Sequence, residues 1–269
     1  MDRDSTVGQL PASDGEGLRV AAATPLVQVA ASSNASHYPL FADACARDGS
    51  HRDAGYTLAD CLARASRCQR RGDGVACAVN GNGTCAARKP GSALHSILGD
   101  APCKRANHSA VAVALVALDA EIEVDAVDTT RTFSAEGYFA VIDPNAPTPL
   151  PASWRVKSVL LPAAAAAGFQ RLSSVDALDL QEASICLAAS RRTDGDVRLV
   201  LGGVAPRPYR VYTSVEEEAM AGGLDDETIT GLAERALLDA EADPASAAAV
   251  EVAAELLRKA IEDIAASAP

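Results

Sequence analysis

Seven cysteines are the residues of this chain best suited to chemistry: Cys45, Cys61, Cys68, Cys77, Cys85, Cys103 and Cys186. Five of them fall between Cys61 and Cys103. An odd count in a chain of 269 residues does not read as a disulfide framework, which small secreted domains need and larger ones do not. The clustering points instead to a metal or iron–sulfur loop. Four thiolates are the usual ligand set for an iron–sulfur cluster. Zinc could use the same four donors, but no Cys-x-x-Cys pair is present. His37, His51, His95 and His108 have no metal-ligand spacing, and no Gly-x-Ser-x-Gly nucleophile motif occurs. Cys186 lies in an apolar stretch and reads as core.

The segment that carries the cluster of cysteines differs from its surroundings. From Arg67 to Arg105 periodicity disappears, and Asn80-Gly81-Asn82-Gly83 and Lys89-Pro90-Gly91 are turn signals. A loop of this length without its own secondary structure usually binds something or is disordered. It is also basic: Arg64, Arg67, Arg70, Arg71, Arg88, Lys89, Lys104 and Arg105 stand against Asp60, Asp73 and Asp100. The C-terminal part is acidic, with Glu216, Glu217, Glu218, Asp225, Asp226 and Glu227 in one run that reads as a solvated helical surface. The net charge of −12 argues against nucleic acid or an anionic membrane as main partner. Met1 to Gly8 lacks the apolar core of a signal peptide. The longest apolar run ends at Asp119, too short to span a bilayer. The expected location is cytoplasmic, or periplasmic if a signal-bearing partner carries the chain across.

The elements that must position these residues are alternately strands and helices. Gly17 to Ala22 alternates as a strand. Helices are expected over Thr24 to Ser32, with Thr24 as a cap, over Tyr38 to Arg47, with Leu40, Phe41, Ala44 and Cys45 inward, and over Thr57 to Ser66. Ala110 to Leu118 is an apolar helix, and Ala120 to Asp125 with Thr129 to Phe133 is a hairpin. Pro144, Pro147, Pro149 and Pro151 mark a linker and the expected boundary between residues 1–150 and 151–269.

In the second part, strands are expected over Trp154 to Leu161, Gly168 to Ser173, Ala183 to Ala189 and Val197 to Leu201, the last two joined across Thr193-Asp194-Gly195. Gly202-Gly203 ends the last strand. Ser214-x-x-Glu217 reads as a capping box. Asp226 to Ala240 is a helix, and Asp243-Pro244 caps a last helix that buries Val250, Ala253, Ala254, Leu257, Ile261 and Ile264. The expected class is α+β, an antiparallel sheet with a helical layer.

This order of segments resembles the FAD-binding medium subunit of the xanthine dehydrogenase/CO dehydrogenase family of molybdenum hydroxylases. "GLRVAAATPLVQVAASSNASHYPLFADAC" is similar to the strand, short helix and Tyr-Pro-Leu helix of its flavin domain, "LVALDAEIEV" to its central helix and strand, and "VRLVLGGVAPRPYRV" to its C-terminal domain. "CAARKPGSALHSILGDAPC" resembles the [4Fe–4S]-loop branch, the hydroxybenzoyl-CoA reductase and periplasmic aldehyde oxidoreductase types.

The resemblance implies a degenerate, two-lobed FAD-binding domain with a cysteine-rich loop at 61–105, followed by a CO dehydrogenase flavoprotein C-terminal-like domain. It also identifies what differs. The family's first lobe, with its Gly-Gly-Thr phosphate loop, has no counterpart here. Its second glycine loop, Thr-x-Gly-Gly-Asn, aligns with Leu58, Ala59 and Asp60 where the two glycines and the asparagine stand. A bare glycine backbone approaches phosphates more closely than any other. Its Pro-Ser-Asp aligns with His108, Ser109 and Ala110, so the aspartate that meets the cofactor is an alanine. These differences imply that FAD binding is lost. Cys68, Cys85 and Cys103 match cluster-ligand positions, a fourth family ligand is replaced by Ala93-Leu94, and Cys77, or less readily Cys61, could stand in.

The function these features imply is an accessory subunit of a molybdopterin-dependent oxidoreductase, structural or electron-relaying, with a [2Fe–2S] small subunit and a large molybdopterin subunit as partners. Molybdopterin would sit only in the partner, and a [4Fe–4S] cluster would be this chain's own cofactor. The alternatives are a working FAD-binding electron-transfer subunit with atypical contacts, and a free-standing scaffold without a redox role.

Overall fold

The computed structural model describes residues 12–13, 17–50, 53–63, 77, 85, 95–98, 103–141, 150–151, 153–166, 168–176, 184–193, 195–240 and 246–267. Strand β1 is Ala12–Ser13 and β2 is Gly17–Ala21; helices α1 (Leu26–Ala30), α2 (Pro39–Ser50) and α3 (Leu58–Ala63) follow. After the cysteine-rich segment come α4 (Ala110–Ala117), the hairpin β3 (Glu121–Ala126) and β4 (Thr129–Ser134), and α5 (Ala135–Val141). Then β5 (Arg155–Pro162) and the short α6 (Ala163–Ala166) lead to β6 (Phe169–Asp176), β7 (Ser184–Arg191), β8 (Val197–Gly202) and β9 (Tyr209–Arg210). Helices α7 (Thr213–Ala219), α8 (Asp226–Ala236) and α9 (Ala247–Ala266) close the chain.

The fold is α+β with two antiparallel sheets, in the strand orders β1-β2-β5-β3-β4 and β6-β7-β8-β9. Strand β5 is central to the first sheet, with Leu18 opposite Leu161 on one side and Ile122 opposite Val159 on the other. A division at residue 150 would therefore separate β5 from the strands it pairs with. The chain changes sheet between Pro162 and Phe169. Prolines signal a break in local structure, but sheet membership is settled by long-range pairing that local signals do not carry.

The core explains the layering. Strand β3 alternates, with Ile122 and Val124 buried and Glu121 and Asp125 exposed, as a sheet with one wet face must. Helix α4 is buried on every side, which is why it is apolar all round. It lies between the sheets, its cluster continuing onto Cys186, Ala188 and Val200 of the second. Burying Val111, Val113, Leu115 and Val116 contributes about 1.5–3 kcal/mol for each side chain. The other face of the second sheet, with Leu187, Leu199 and Leu201, packs against Leu232, Leu257 and Ile261 of α8 and α9.

Several local expectations are corrected. Helix α7 has Tyr212 at its N-cap and no side-chain cap, so Ser214 and Glu217 form no capping box. Pro25, not Thr24, stands at the N-cap of α1, and Thr24 is buried, its carbonyl accepting from Leu58 N of α3. Helix α8 stops at Ala236; α3 is described to Ala63, and the expected continuation to Ser66 lies outside the described residues. Trp154 packs on β4, 5.7 Å from the Phe133 ring and 5.6 Å from the Arg131 guanidinium. The turn at Asp194, the Pro144–Pro149 stretch and Asp243-Pro244 lie outside the described residues. No helix among the described residues is long and apolar enough to cross a membrane.

Candidate functional site

Two helix N-termini carry the positions where the sequence resemblance puts cofactor contacts. At α3, Thr57 and Asp60 form a reciprocal capping pair. Asp60 Oδ2 accepts from Thr57 N at 3.0 Å and from Thr57 Oγ1 at 2.8 Å, and Asp60 N donates to Thr57 Oγ1 at 3.2 Å. This is the capping-box logic in a Thr-x-x-Asp version. The next donors are also used. Leu58 N donates to Thr24 O at 3.1 Å and Ala59 N to Ala22 O at 2.7 Å. The Leu58 side chain is fully buried. The first turn of α3 is thus stitched to the end of β2 by its own backbone.

At α4 the occupant is a carboxylate from α2. Asp48 accepts from Ser109 Oγ at 2.8 Å and Val111 N at 3.0 Å through Oδ2, and from Ala110 N at 3.1 Å through Oδ1. Ser109 itself caps the helix, its Oγ accepting from Ala112 N at 3.1 Å. A helix N-terminus favours negative charge because its first N–H groups point outward unpaired. Asp48 supplies that charge from within the chain. Asn107 locks the approach: its Oδ1 accepts from Ser109 N at 2.9 Å, its carbonyl from Gly203 N at 2.5 Å, and its N–H donates to Ala205 O at 2.8 Å.

Three buried thiols surround this carboxylate. Cys61 Sγ lies 2.9 Å from Ser109 Oγ and 3.5 Å from Asp48 Oδ2. Since the Ser109 hydroxyl proton already goes to Asp48, the Cys61 thiol is the donor. Burial, with the Asp48 charge second, raises the Cys45 and Cys61 thiols well above the usual cysteine range. Cys186 is pushed up to about 12 by the same two causes. These are neutral core thiols, not nucleophiles.

The cysteine loop itself is seen in part. Cys85 and Cys103 are buried and Cys77 is half-buried; Cys68 lies outside the described residues, as do Ala93, Leu94 and the basic residues from Arg64 to Lys89. None of the six described cysteines is in a disulfide. Among the described residues, no group of three or more cysteine, histidine or acidic side chains could hold a metal ion. Cys77, Cys85 and Cys103 are not brought together as one site.

No protein-family model matches the chain, and no curated protein is similar to it in sequence. The similarity is in structure. A chain of carbon monoxide dehydrogenase from Hydrogenophaga pseudoflava superposes with a TM-score of 0.64 at 17% identity, covering 96% of this chain and 78% of that one. The reconstituted CO dehydrogenase of Oligotropha carboxidovorans gives 0.64 at 15%, covering 98% and 80%. Quinoline 2-oxidoreductase from Pseudomonas putida 86 gives 0.60 at 16%, covering 96% and 78%. The chain has the fold of these oxidoreductase subunits.

Within that fold, the residues that organise the site include several the sequence did not single out. Asp48 and Asn107 each sit in a stretch that otherwise reads as ordinary helix or loop. Asp48 lies in register with the buried face of α2, seven residues after Phe41 and three after Cys45, and an acid on that apolar stripe is the signal that could have singled it out. Asp119 has φ +55° and joins the sheets: it accepts from Arg198 Nη1 at 2.8 Å and Arg192 Nη1 at 3.1 Å. Glu216 corrects the expectation of a wholly solvated acidic run. It is buried, accepts from Leu199 N at 2.9 Å, and is gripped by Arg210, with Nη2 at 2.7 Å from Oε2. Burial raises the Glu216 carboxyl and the Arg210 charge lowers it.

Proposed function

We propose that this chain is the medium-type subunit of a multisubunit molybdopterin-dependent oxidoreductase, in which a structural or electron-relay role has replaced flavin binding. The likeness in fold to CO dehydrogenase and quinoline 2-oxidoreductase chains over nearly its whole length supports the subunit role. The partners are then a small [2Fe–2S] subunit and a large molybdopterin-bearing subunit, where the chemistry takes place.

One observation carries the loss of flavin: the backbone donors at both candidate helix starts are consumed within the chain. Leu58 N and Ala59 N are bound to Thr24 O and Ala22 O, and Ala110 N and Val111 N to Asp48. A pyrophosphate would have to displace these acceptors, bury itself beside the Asp60 and Asp48 carboxylates, and move the buried Leu58 side chain. The residues present do not fit FAD, and no electron step through flavin is assigned to this chain. A [4Fe–4S] relay centre on Cys68, Cys77, Cys85 and Cys103 would have to draw together thiols that the described residues do not group, so no electron step is assigned to it and the structural role is the reading these residues favour.

The experiment is a visible spectrum with iron, sulfide and flavin content, taken on protein purified without air from cells supplied with riboflavin and iron. A broad band that bleaches on reduction, without flavin, is the expected result for a relay. A colourless protein that co-purifies from its native host with a molybdopterin subunit leaves the structural role. Stoichiometric FAD would overturn the loss of flavin, and isolation without any molybdopterin-bearing partner would overturn the subunit role.

A further inference from the structure

Each sheet ends in two edge strands, and the four edges are not alike. Strands β1 and β9 are two residues long, and β6 is half-buried over residues 169–174. Strand β4 is six residues long, and all of them are exposed except the half-buried Phe133. An exposed edge is a template for another chain, and proteins usually blunt it with lysines, prolines, bulges or shortness. Thr129–Ser134 has no lysine or proline and keeps a regular register with β3. Its single charge, Arg131, lies over the Trp154 ring at 5.6 Å. Helix α5, which follows, turns Ala135, Tyr138 and Phe139 into the core and leaves the edge open.

The register fixes which backbone groups of β4 face outward. Ala135 N donates to Ala120 O at 2.7 Å, so residues 120 and 135 form a hydrogen-bonded pair. Antiparallel pairs alternate between bonded and non-bonded. The bonded pairs of the hairpin are therefore Ile122 with Phe133, Val124 with Arg131, and Ala126 with Thr129. The N–H and C=O groups of Thr130 and Thr132, and the N–H of Ser134, point away from β3, and no other strand among the described residues pairs with them.

A second β4 running antiparallel about a two-fold axis must set outward groups against outward groups. Two such registers align five residues of Thr129–Ser134. One centres on Arg131 and places it opposite its own copy, and like charges directly opposite are destabilising. The other centres on Thr132. It sets Thr132 against Thr132, Thr130 against Ser134, and Arg131 against the Phe133 of the second copy. Each guanidinium, already over Trp154, then meets a second aromatic ring. The two Thr132 residues exchange both their N–H···O bonds, and each Ser134 N–H reaches the Thr130 carbonyl of the other copy.

We propose that β4 docks on the β4 of a second copy of this chain, antiparallel and centred on Thr132, so that two five-stranded sheets become one. The overlap is far smaller than the roughly 20–30 residues a side of a standard interface, so the dimer forms and dissociates with concentration. The inference goes beyond the subunit role and does not rest on it.

Sedimentation velocity on the full chain, from micromolar to millimolar concentration, should show monomer passing to dimer. Thr132→Pro removes an outward N–H without touching the bonds to β3. It should stay monomeric at every concentration, with an unchanged circular dichroism spectrum. Two cysteine variants read the register under oxidised glutathione, with wild type treated in the same way as the baseline. Thr132→Cys should form a disulfide-linked dimer, because facing hydrogen-bonded residues have Cα atoms about 5.5 Å apart, within disulfide reach. Thr130→Cys should not, because its two copies would lie about 14 Å apart along the strands. Wild type that is monomeric throughout, a dimer that persists in Thr132→Pro, or equal cross-linking of the two cysteine variants overturns the proposal. So does a complex from the native host in which a different subunit protects the Thr130 and Thr132 amides from hydrogen exchange while the isolated chain stays monomeric. If Thr132→Pro does not fold, wild-type sedimentation and the two cysteine variants decide the matter.

Discussion

Replacing Asp48 by asparagine should be among the most damaging single-atom changes in this protein. The carboxylate collects the Ser109 hydroxyl, the Ala110 and Val111 N–H groups and the Cys61 thiol. Asparagine keeps one carbonyl oxygen, which can serve Ala110 N. Its amide nitrogen then faces the Ser109 hydroxyl and Val111 N, donor against donor. Hydrogen bonds to a charged group contribute about 1.5–3 kcal/mol each and are not additive within one network. The helix start adds up to about 2 kcal/mol of preference for an anion in partly buried geometry. Asp48→Asn should therefore cost about 3–4 kcal/mol, a large share of the roughly 5–15 kcal/mol of a typical domain. The assay is urea unfolding at neutral pH followed by circular dichroism, with the slope unchanged so that the midpoint reports stability. Asp43→Asn, on the exposed side of the same helix, is the control and should stay within about 0.5 kcal/mol. In Asp48→Asn, Cys61 should also react faster with a thiol reagent, because α4 no longer seals it. A loss under about 1 kcal/mol would refute the idea that Asp48 is the anion on which α4 is seated.

Arg210→Met should cost about 3–5 kcal/mol by leaving Glu216 buried without its cation. Burial already holds the Glu216 carboxyl above its ordinary value against Arg210, the Leu199 N–H and Arg198; removing Arg210 raises it further, so stability is retained below the unfolded value and lost as pH rises through the folded one. Arg210→Met should therefore weaken progressively above about pH 5 in urea titrations, and Glu216→Gln added to it should restore part of the loss. Glu123 behaves in the opposite sense. The Ser158 hydroxyl first, then Arg19 and Lys157, hold its carboxyl below the ordinary value of 4.5 against burial. Its contribution is present above that value and disappears as pH falls through the depressed one, so wild type and Glu123→Gln should converge in stability below about pH 4. Gly202→Ala should cost about 1–3 kcal/mol, because a Cβ there would lie 2.6 Å from Val113 Cγ2 and 2.8 Å from Cys186 Sγ. Adding Cys186→Ala should relieve part of it. An additive double mutant would show that the clash lies elsewhere.

The elements with strong periodicity or turn chemistry were readable in the sequence. Helix α4 announces itself as an unbroken apolar run, and the β3–β4 hairpin by alternation. Gly202 and Gly203 mark the end of β8, the first because Val113 and Cys186 leave no room for a side chain, the second because its φ is +82°. The failures share one cause. The proline-rich break falls just before strand β5, whereas its partners β2 and β3 lie on the other side of it, far away in sequence. Asn107 and Glu216 look like solvent-facing polar residues, and only packing tells that they are buried, whereas Asp48 falls on the apolar stripe of Phe41, Ala44 and Cys45 and could have been noticed there. The capping signal was placed at Ser214 and Glu217, while the working pair is Thr57 and Asp60. Both fit the same pattern, and the spacing cannot distinguish them.

If flavin binding has been lost, as proposed, the two helix starts suggest how. A phosphate-binding turn leaves backbone N–H groups unpaired until the ligand arrives, and that vacancy is tolerable only while the ligand is retained. Once binding is no longer selected, an internal acceptor that fills the vacancy stabilises the chain. Here α3 is satisfied by the carbonyls of Ala22 and Thr24 and by Asp60, and α4 by Asp48 and Ser109. The side chains that obstruct a flavin, Leu58 and Ala59, could be changed one at a time. Thr24 O and Ala22 O would still hold the donors, because they belong to the backbone that joins β2 to α1. Leu58→Gly with Ala59→Gly should therefore lower stability, by about 3 kcal/mol for the Leu58 side chain and about 1 kcal/mol for the second glycine, without creating FAD binding. Fluorescence titration with FAD on that variant is the check. Micromolar binding would mean that the side chains alone excluded the cofactor and that the backbone hydrogen bonds are no barrier.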